Sequence, residues 1–191
     1  ILGCAFPEGE QGLNMARMVG FMAGLPHSVA GVTVNRFCGS SMYAVHMAAG
    51  AIAMNAGDAF ICAGVESMSR VPMGGYNPLP SPSLHKRCPD AYISMGETAE
   101  NLAARYGITR EAQDAFALES QAKAAAAIEA GKLDGEIVPV GNITRDGCPR
   151  PGTSREDLSS LKPAFDETGT VTAATSSPLT DGAAATLICS E

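Results

Sequence analysis

Residues 32–69 read VTVNRFCGSSMYAVHMAAGAIAMNAGDAFICAGVESMS, and this stretch decides the fold. The β-branched run at residues 32–34 predicts a strand, the apolar run that ends at Asn55 predicts a helix, and residues 59–65 predict a second strand. Cys38 lies where the first strand turns into the helix. Strands that alternate with helices in this way indicate an α/β fold.

Cys38 occupies a position that suits a nucleophile. The first backbone N–H groups of a helix lack intrahelical partners and carry partial positive charge, which favours a thiolate. Residues 42–54 are apolar or small on nearly every face, so the helix that presents Cys38 is predicted to be buried. The alternative is an inert core cysteine, because free cysteines are usually buried.

The composition argues against several classes of protein. The chain has 191 residues, 46% of them hydrophobic, and a net charge of −7. It can therefore form a core, and it should have no general attraction to nucleic acid or to an anionic membrane. The six cysteines include no C-x-x-C pair. This spacing argues against a metal site and favours a reducing, cytoplasmic compartment.

The rest of the chain continues the alternation of strands and helices. Residues 70–90 contain five prolines and are predicted to form a long loop. The remaining predicted strands are residues 1–6, 137–140 and 183–189, and the remaining predicted helices are residues 14–24, 96–106 and 109–130.

Several motifs occur in an order that resembles the thiolase family. They are NRFCGSS at 35–41, AGVESMSRVPMGG at 63–75, MGETAENLA at 95–103 and SLKPAFDETGTVTAATSSPLTDGAAA at 160–185. The resemblance implies a thiolase-like layered fold, a mixed sheet flanked by helices with an inserted loop domain. It also implies that this chain is an N-terminal half without the first strand, which predicts a gap near the middle of the sheet.

The resemblance further implies a division of the chain into three parts. Residues 1–69 would form the core that carries the nucleophile, and residues 70–165 a loop domain for coenzyme A and oligomer contacts. Residues 166–191 would return to the core sheet. The C-terminal thiolase domain is expected to lie outside this chain.

In the family's chemistry, Cys38 would be the catalytic residue. Its thiolate would cleave a 3-ketoacyl-CoA, release acetyl-CoA and keep the shortened acyl group as a thioester until a second coenzyme A removes it. The family's general base and acid belong to motifs of the C-terminal half. None of His27, His46 and His85 lies in such a motif, so this chain alone is expected not to turn over.

The resemblance also assigns coenzyme A contacts. Met95 would pack on the pantetheine arm, while Arg150, Ser154 and Leu161 would lie near the nucleotide end; each could also be an ordinary surface residue. Coenzyme A would be a substrate, with no tightly bound cofactor and no metal. The expected assembly is a homodimer or homotetramer, without nucleic-acid or membrane partners.

The substrate class remains open between alternatives. Ser94 stands where acetoacetyl-specific relatives carry a histidine, which favours a degradative thiolase of fatty-acid β-oxidation over a biosynthetic acetoacetyl-CoA thiolase. A condensing synthase that uses an acyl carrier protein is disfavoured by the ESMSRVPMGG motif. A thiolase-like lipid-binding protein without enzymatic activity is the remaining alternative.

Overall fold

The computed structural model describes residues 1–191, and the chain divides into two compact units. The first unit comprises Ile1–Leu79 and Leu179–Glu191, and the second comprises Pro80–Pro178. The division after residues 69 and 165 that the thiolase resemblance implies stays a prediction.

Residues 70–79 belong to the first unit because polar contacts tie them to its first loop. Arg70 forms an ion pair with Glu10 at 2.5 Å. The backbone N–H of Tyr76 donates to a carboxylate oxygen of Glu8 at 2.8 Å. Neither contact could be read from the local sequence pattern, since the partners lie about sixty residues apart.

The first unit is built on a mixed sheet of four strands in the order β2-β1-β3-β4. Its strands are β1 (Leu2–Gly3), β2 (Thr33–Val34), β3 (Ala59–Ser67) and β4 (Asp181–Cys189). The first three are parallel, and β4 runs antiparallel to β3 along its whole length. The mixed sheet with flanking helices confirms the predicted fold class.

The predicted gap in the sheet is wrong. Leu2 of β1 lies opposite Thr33 of β2 on one side and Ala63 of β3 on the other. Strand β1 is therefore an interior strand of the sheet, because its backbone hydrogen-bonds to both neighbours.

Helix α2 (Ser40–Ala53) connects β2 to β3 and is buried on one face only. Ser40, Ala44 and Ala48 form a stripe at helical spacing that packs towards the sheet, where Ala44 and Ala48 form a core with Cys62. The prediction of a helix buried on most faces is wrong for this chain, because apolar residues such as Met42 are exposed.

Two glycines in neighbouring strands allow α2 to lie directly on the sheet. Gly3 and Gly64 are partners across β1 and β3. A Cβ atom on Gly3 would lie 2.5 Å from the backbone nitrogen of Ser41, and one on Gly64 would collide with the Ser41 hydroxyl. Glycine inside a strand often marks such a close approach of another backbone.

The second unit is mainly helical. Its helices are α3 (Pro82–Arg87), α4 (Met95–Tyr106), α5 (Arg110–Glu129) and α6 (Arg155–Ser159), and the first unit also contains α1 (Met15–Met22). The predicted limits of α4 and α5 are confirmed. Gly107 ends α4 in the left-handed conformation, and the Thr109 hydroxyl accepts the N–H of Ala112 to begin α5.

Two local predictions fail in the second unit. The predicted loop at 70–90 contains α3, which begins because Ser81 accepts the N–H of Leu84 and proline follows as the first helical residue. Residues 137–140 form no strand; only a single bridge joins Val140 to Ile143, since no neighbouring strand pairs with them. None of the helices has the length and hydropathy required to cross a membrane.

We expect Gly3→Ala to destabilise the fold by about 2–3 kcal/mol, because the new methyl group would force α2 away from the sheet. Gly50→Ala is the control, since a Cβ there meets nothing within 4 Å and alanine favours the helix by about 0.5–1 kcal/mol. Urea unfolding followed by circular dichroism measures both. Equal stability of Gly3→Ala and the unmodified chain would contradict the close-approach argument.

Candidate active site

Cys38 is exposed and lies in the turn between β2 and α2. Gly39 is the N-cap of the helix, so Cys38 immediately precedes the cap rather than lying within the first turn. The N–H of Gly39 donates to the carbonyl of Arg36, and the N–H of Ser40 donates to that of Phe37, both at 3.0 Å. Two of the amides around the thiol are therefore used in closing the turn.

The residue before Cys38 has a strained backbone. Phe37 has φ of +46°, a left-handed conformation that costs a residue with a side chain about 1–2 kcal/mol. Its N–H donates to the side-chain oxygen of Asn35 at 2.9 Å. Its carbonyl accepts the hydroxyl of Ser40 at 2.6 Å. Such strain persists where surrounding contacts enforce it, and it is concentrated at functional sites.

Ser40 is the central polar group of this turn. It is 3% exposed. Its hydroxyl accepts the N–H of Arg36 at 2.8 Å while it donates to Phe37, so it ties both sides of the turn together. The local sequence, which indicates only that serine is favourable at a helix start, does not reveal this role.

The other cysteines have different surroundings. Cys4 is fully buried, and burial together with the nearby Glu66 carboxylate raises the pKa of its thiol to about 11. Cys62 is also buried, and its thiol donates to the carbonyl of Ala44 at 3.5 Å. The remaining cysteines, which are exposed but do not precede a long helix, are Cys88, Cys148 and Cys189.

The three histidines have ordinary surroundings. His46 is exposed on α2. The ring of His27 lies 5.5 Å from that of Phe21, and the ring of His85 lies 6.2 Å from that of Tyr92.

The predicted coenzyme A residues all belong to the second unit, whereas Cys38 belongs to the first. Met95 is the first residue of α4 and is 68% exposed. Ser94 before it is the N-cap: its hydroxyl accepts the N–H of Glu97, and its own N–H donates to the Glu97 carboxylate, which lowers the pKa of that carboxyl. Ser94, which favours a degradative thiolase, therefore also caps helix α4.

Ser154 and Leu161 flank the short helix α6. The Ser154 hydroxyl donates to Asp157 at 2.6 Å and accepts its N–H at 3.1 Å, which caps the helix. Leu161 is 36% exposed. The structure thus places these two predicted residues close to one helix.

Arg150 is folded back onto its own loop. Its guanidinium donates to the carbonyl of Gly147 at 2.6 Å and to those of Cys148 and Pro149 at 3.2 Å. Its backbone N–H donates to Gln121 at 2.8 Å. All three of these bonds use Nη1 of the guanidinium.

An unpredicted ion pair supports the segment around α6. The Nε of Arg110 donates to both oxygens of Asp114, at 3.0 and 2.9 Å, and its Nη2 donates to the carbonyls of Leu158 and Leu161. Asp114 is 7% exposed. The spacing of four residues between Arg110 and Asp114 on a predicted helix indicates an ion pair. The bonds from Arg110 to the carbonyls near α6 have no signal in the local sequence.

The second unit also contains an apolar groove of about 780 Å³ between α4, α5 and residues 171–178. Leu102, Ile108 and Phe116 contribute large side chains to its lining. None of Met95, Arg150, Ser154 and Leu161 lines it. The groove and the predicted coenzyme A contacts are therefore separate features.

Glu100 provides a pH-dependent contact in this unit. Its carboxylate accepts the N–H groups of Thr170 and Val171 at 2.8 and 2.7 Å and the Thr170 hydroxyl at 3.1 Å. Burial acts to raise its pKa, but these hydrogen bonds outweigh burial and lower the pKa below its ordinary value. A lowered pKa stabilises the fold above the unfolded-state pKa, and this contribution is lost as pH falls through the folded-state pKa.

We therefore expect Glu100→Gln to lose about 1–2 kcal/mol of stability at neutral pH, because the amide cannot replace the charged acceptor. The difference from the unmodified chain should shrink as pH falls below about 4. Urea unfolding at several pH values measures it. Glu119→Gln is the control, because Glu119 forms an exposed pair with Lys123; a difference that is constant with pH would contradict the charged-acceptor role.

We expect Ser40→Ala to slow alkylation of Cys38 by iodoacetamide roughly threefold or more, because the turn that carries the thiol loses the two hydrogen bonds that tie its sides together. Ser41→Ala is the matched control on the adjacent exposed residue. Peptide mass spectrometry identifies the labelled cysteine, and circular dichroism confirms folding. A folded Ser40→Ala chain that reacts at the unmodified rate would exclude this positioning role.

Comparison with known proteins identifies the family. The N-terminal domain of thiolases matches the chain over residues 1–191. A 3-ketoacyl-CoA thiolase of Bacillus subtilis is 47% identical over 205 residues, which cover 98% of this chain and 52% of that protein. One of Colwellia psychrerythraea is 48% identical over 200 residues, which cover 100% of this chain and 52% of that protein.

A solved structure has the same fold. The dimeric peroxisomal thiolase of Saccharomyces cerevisiae superposes with a TM-score of 0.90 at 34% identity, over 98% of this chain and 50% of that chain. The chain spans about half the length of the curated relatives it matches. Along its whole length, the chain belongs to the thiolase family as an N-terminal thiolase domain.

Proposed function

We propose that this chain supplies the nucleophile of a thiolase that cleaves 3-ketoacyl-CoA into acetyl-CoA and a shortened acyl-CoA. The observation that carries the proposal is the exposed Cys38 thiol at the start of α2, held in a strained and hydrogen-bonded turn. The relatives whose names include 3-ketoacyl-CoA thiolase support the choice of substrate.

The proposed reaction has two stages. The Cys38 thiolate attacks the 3-keto carbon, and the bond between C2 and C3 then breaks. The electron pair stays on C2, which takes a proton to give acetyl-CoA, and the acyl group remains on Cys38. A coenzyme A thiolate attacks this thioester and releases Cys38 as a thiolate. The proton transfers require a base and an acid, which we place outside this chain.

The remaining assignments belong to the same proposal. Coenzyme A would contact Met95, Arg150, Ser154 and Leu161, and it would act as a substrate rather than a resident cofactor. The active form would be a homodimer or homotetramer in the cytoplasm, and degradative β-oxidation is favoured over acetoacetyl-CoA synthesis by Ser94. The yeast relative described as dimeric supports the homodimer.

We expect incubation of the 191-residue chain with octanoyl-CoA to add one octanoyl group to Cys38, detected by intact and peptide mass spectrometry. Cys38→Ala should abolish the adduct, and Cys88→Ala, which removes another exposed cysteine, should retain it. An adduct that survives Cys38→Ala would contradict the assignment. Steady thiolysis by this chain alone would contradict our placement of the base and acid outside it.

A non-enzymatic lipid-binding function is the second candidate, because the groove lined by Leu102, Ile108 and Phe116 is largely apolar. Binding of a fluorescent fatty acid that is lost in Phe116→Ser, with no acyl adduct on Cys38, would favour this candidate. An adduct on Cys38 without fatty-acid binding would favour the thiolase.

A further inference from the structure

The carboxyl ends of the three parallel strands meet at one edge of the sheet, where sites of open α/β sheets form. β2 leads into the turn that carries Cys38, and β1 leads into residues 4–6. Glu66 lies near the end of β3. The chemistry assigned to Cys38 does not use Glu66, so the contacts of this carboxylate require another explanation.

Glu66 binds the segment that follows β1. Its carboxylate accepts the N–H of Ala5 at 2.7 Å and the N–H of Phe6 at 3.3 Å, and the Cys4 thiol lies 3.7 Å away. It also accepts the side-chain amide of Gln11 at 2.9 Å. No cation pairs with it, so the carboxylate serves as an acceptor for neutral donors.

Gln11 holds the same segment through the Phe6 carbonyl. It is 2% exposed, although glutamine is usually found at the surface. Its amide nitrogen donates to the carbonyl of Phe6 at 2.8 Å, and its amide oxygen accepts the N–H of Ser67 at 2.5 Å. Glu66 and Gln11 therefore engage both backbone polar groups of Phe6.

Phe6 transmits this constraint to the turn that carries the nucleophile. Its ring centroid lies 5.9 Å from that of Phe37, with the two planes tilted by 49°. Aromatic pairs at this separation attract each other. Phe37 lies directly before Cys38 and has a left-handed backbone. A shift of the Phe37 ring would therefore change the direction of Cys38.

We propose that Glu66 and Gln11 are positioning residues for Cys38, which act by holding Phe6 against Phe37. The backbone bonds to Phe6 fix the ring, and the ring supports the strained turn that aims the thiol. The proposal rests on the proposed function for the purpose of the thiol, but the contacts that define it do not depend on any substrate.

The test measures the rate of Cys38 alkylation by iodoacetamide from pH 6 to 10 in the 191-residue chain. We expect Glu66→Gln, Gln11→Leu and Phe6→Leu each to slow the reaction roughly fivefold, because the turn no longer holds the thiol in one direction. The last two variants carry no change of charge, so a shared effect cannot come from the loss of a carboxylate charge.

Glu10→Gln is the matched control, because Glu10 lies in the same segment but pairs with Arg70 instead of Phe6. It should leave the alkylation profile unchanged. Thermal unfolding identifies variants that do not fold, and Phe6→Leu is the variant least disruptive to the hydrogen bonds. A folded Phe6→Leu chain with the unmodified profile would overturn the proposal. Failure of Cys38 to accept an acyl group would overturn only the proposed function.

Discussion

The seating of helix α2 on the sheet is the constraint on which the candidate site depends. Gly3 and Gly64 remove two side chains from neighbouring strands, so the first turn of the helix contacts backbone directly. This contact fixes the distance between the sheet and the turn before the helix. The buried Ser40 hydroxyl then stabilises that turn by hydrogen bonds to Arg36 and Phe37. Cys38 itself remains exposed. A rigid base with an open thiol is the arrangement that nucleophilic catalysis requires.

The sequence predicts the parts of the fold that local chemistry determines. Thr109 and Gly107 signal helix ends through their own conformational preferences, and the turn at Cys38 follows from a strand pattern that changes to a helical one. The partner of Glu66 could not be predicted, because a carboxylate that accepts N–H groups sixty residues away leaves no local pattern. The prediction that α2 is buried on most faces is wrong for a related reason. An apolar sequence shows that a helix could be buried, but it does not show whether another element packs against each of its faces.

Carboxylates that accept backbone N–H groups recur throughout the chain. Glu66 holds the segment after β1, Glu100 holds the segment at Thr170, and Asp181 accepts the N–H of Ser69 at 2.9 Å and its hydroxyl at 2.5 Å. The Ser69 hydrogen bonds lower the pKa of Asp181 below its ordinary value. Part of the acidic excess of this chain therefore fixes loops, rather than attracting a cationic partner.

The contacts that hold the predicted nucleophile and those that hold the predicted coenzyme A residues lie in different parts of the chain. Cys38 depends on Ser40, Phe37 and the strands beneath α2, all within the first unit, whereas Leu161 depends on Arg110 within the second. A nucleophile needs a fixed direction, because small errors in the approach of reacting atoms strongly slow a reaction. Groups that bind a long, flexible substrate tolerate more movement, since their contacts are spread along it. In the structure, the residue directly before Cys38 has a strained backbone, whereas α4 and α6 begin with ordinary capping boxes.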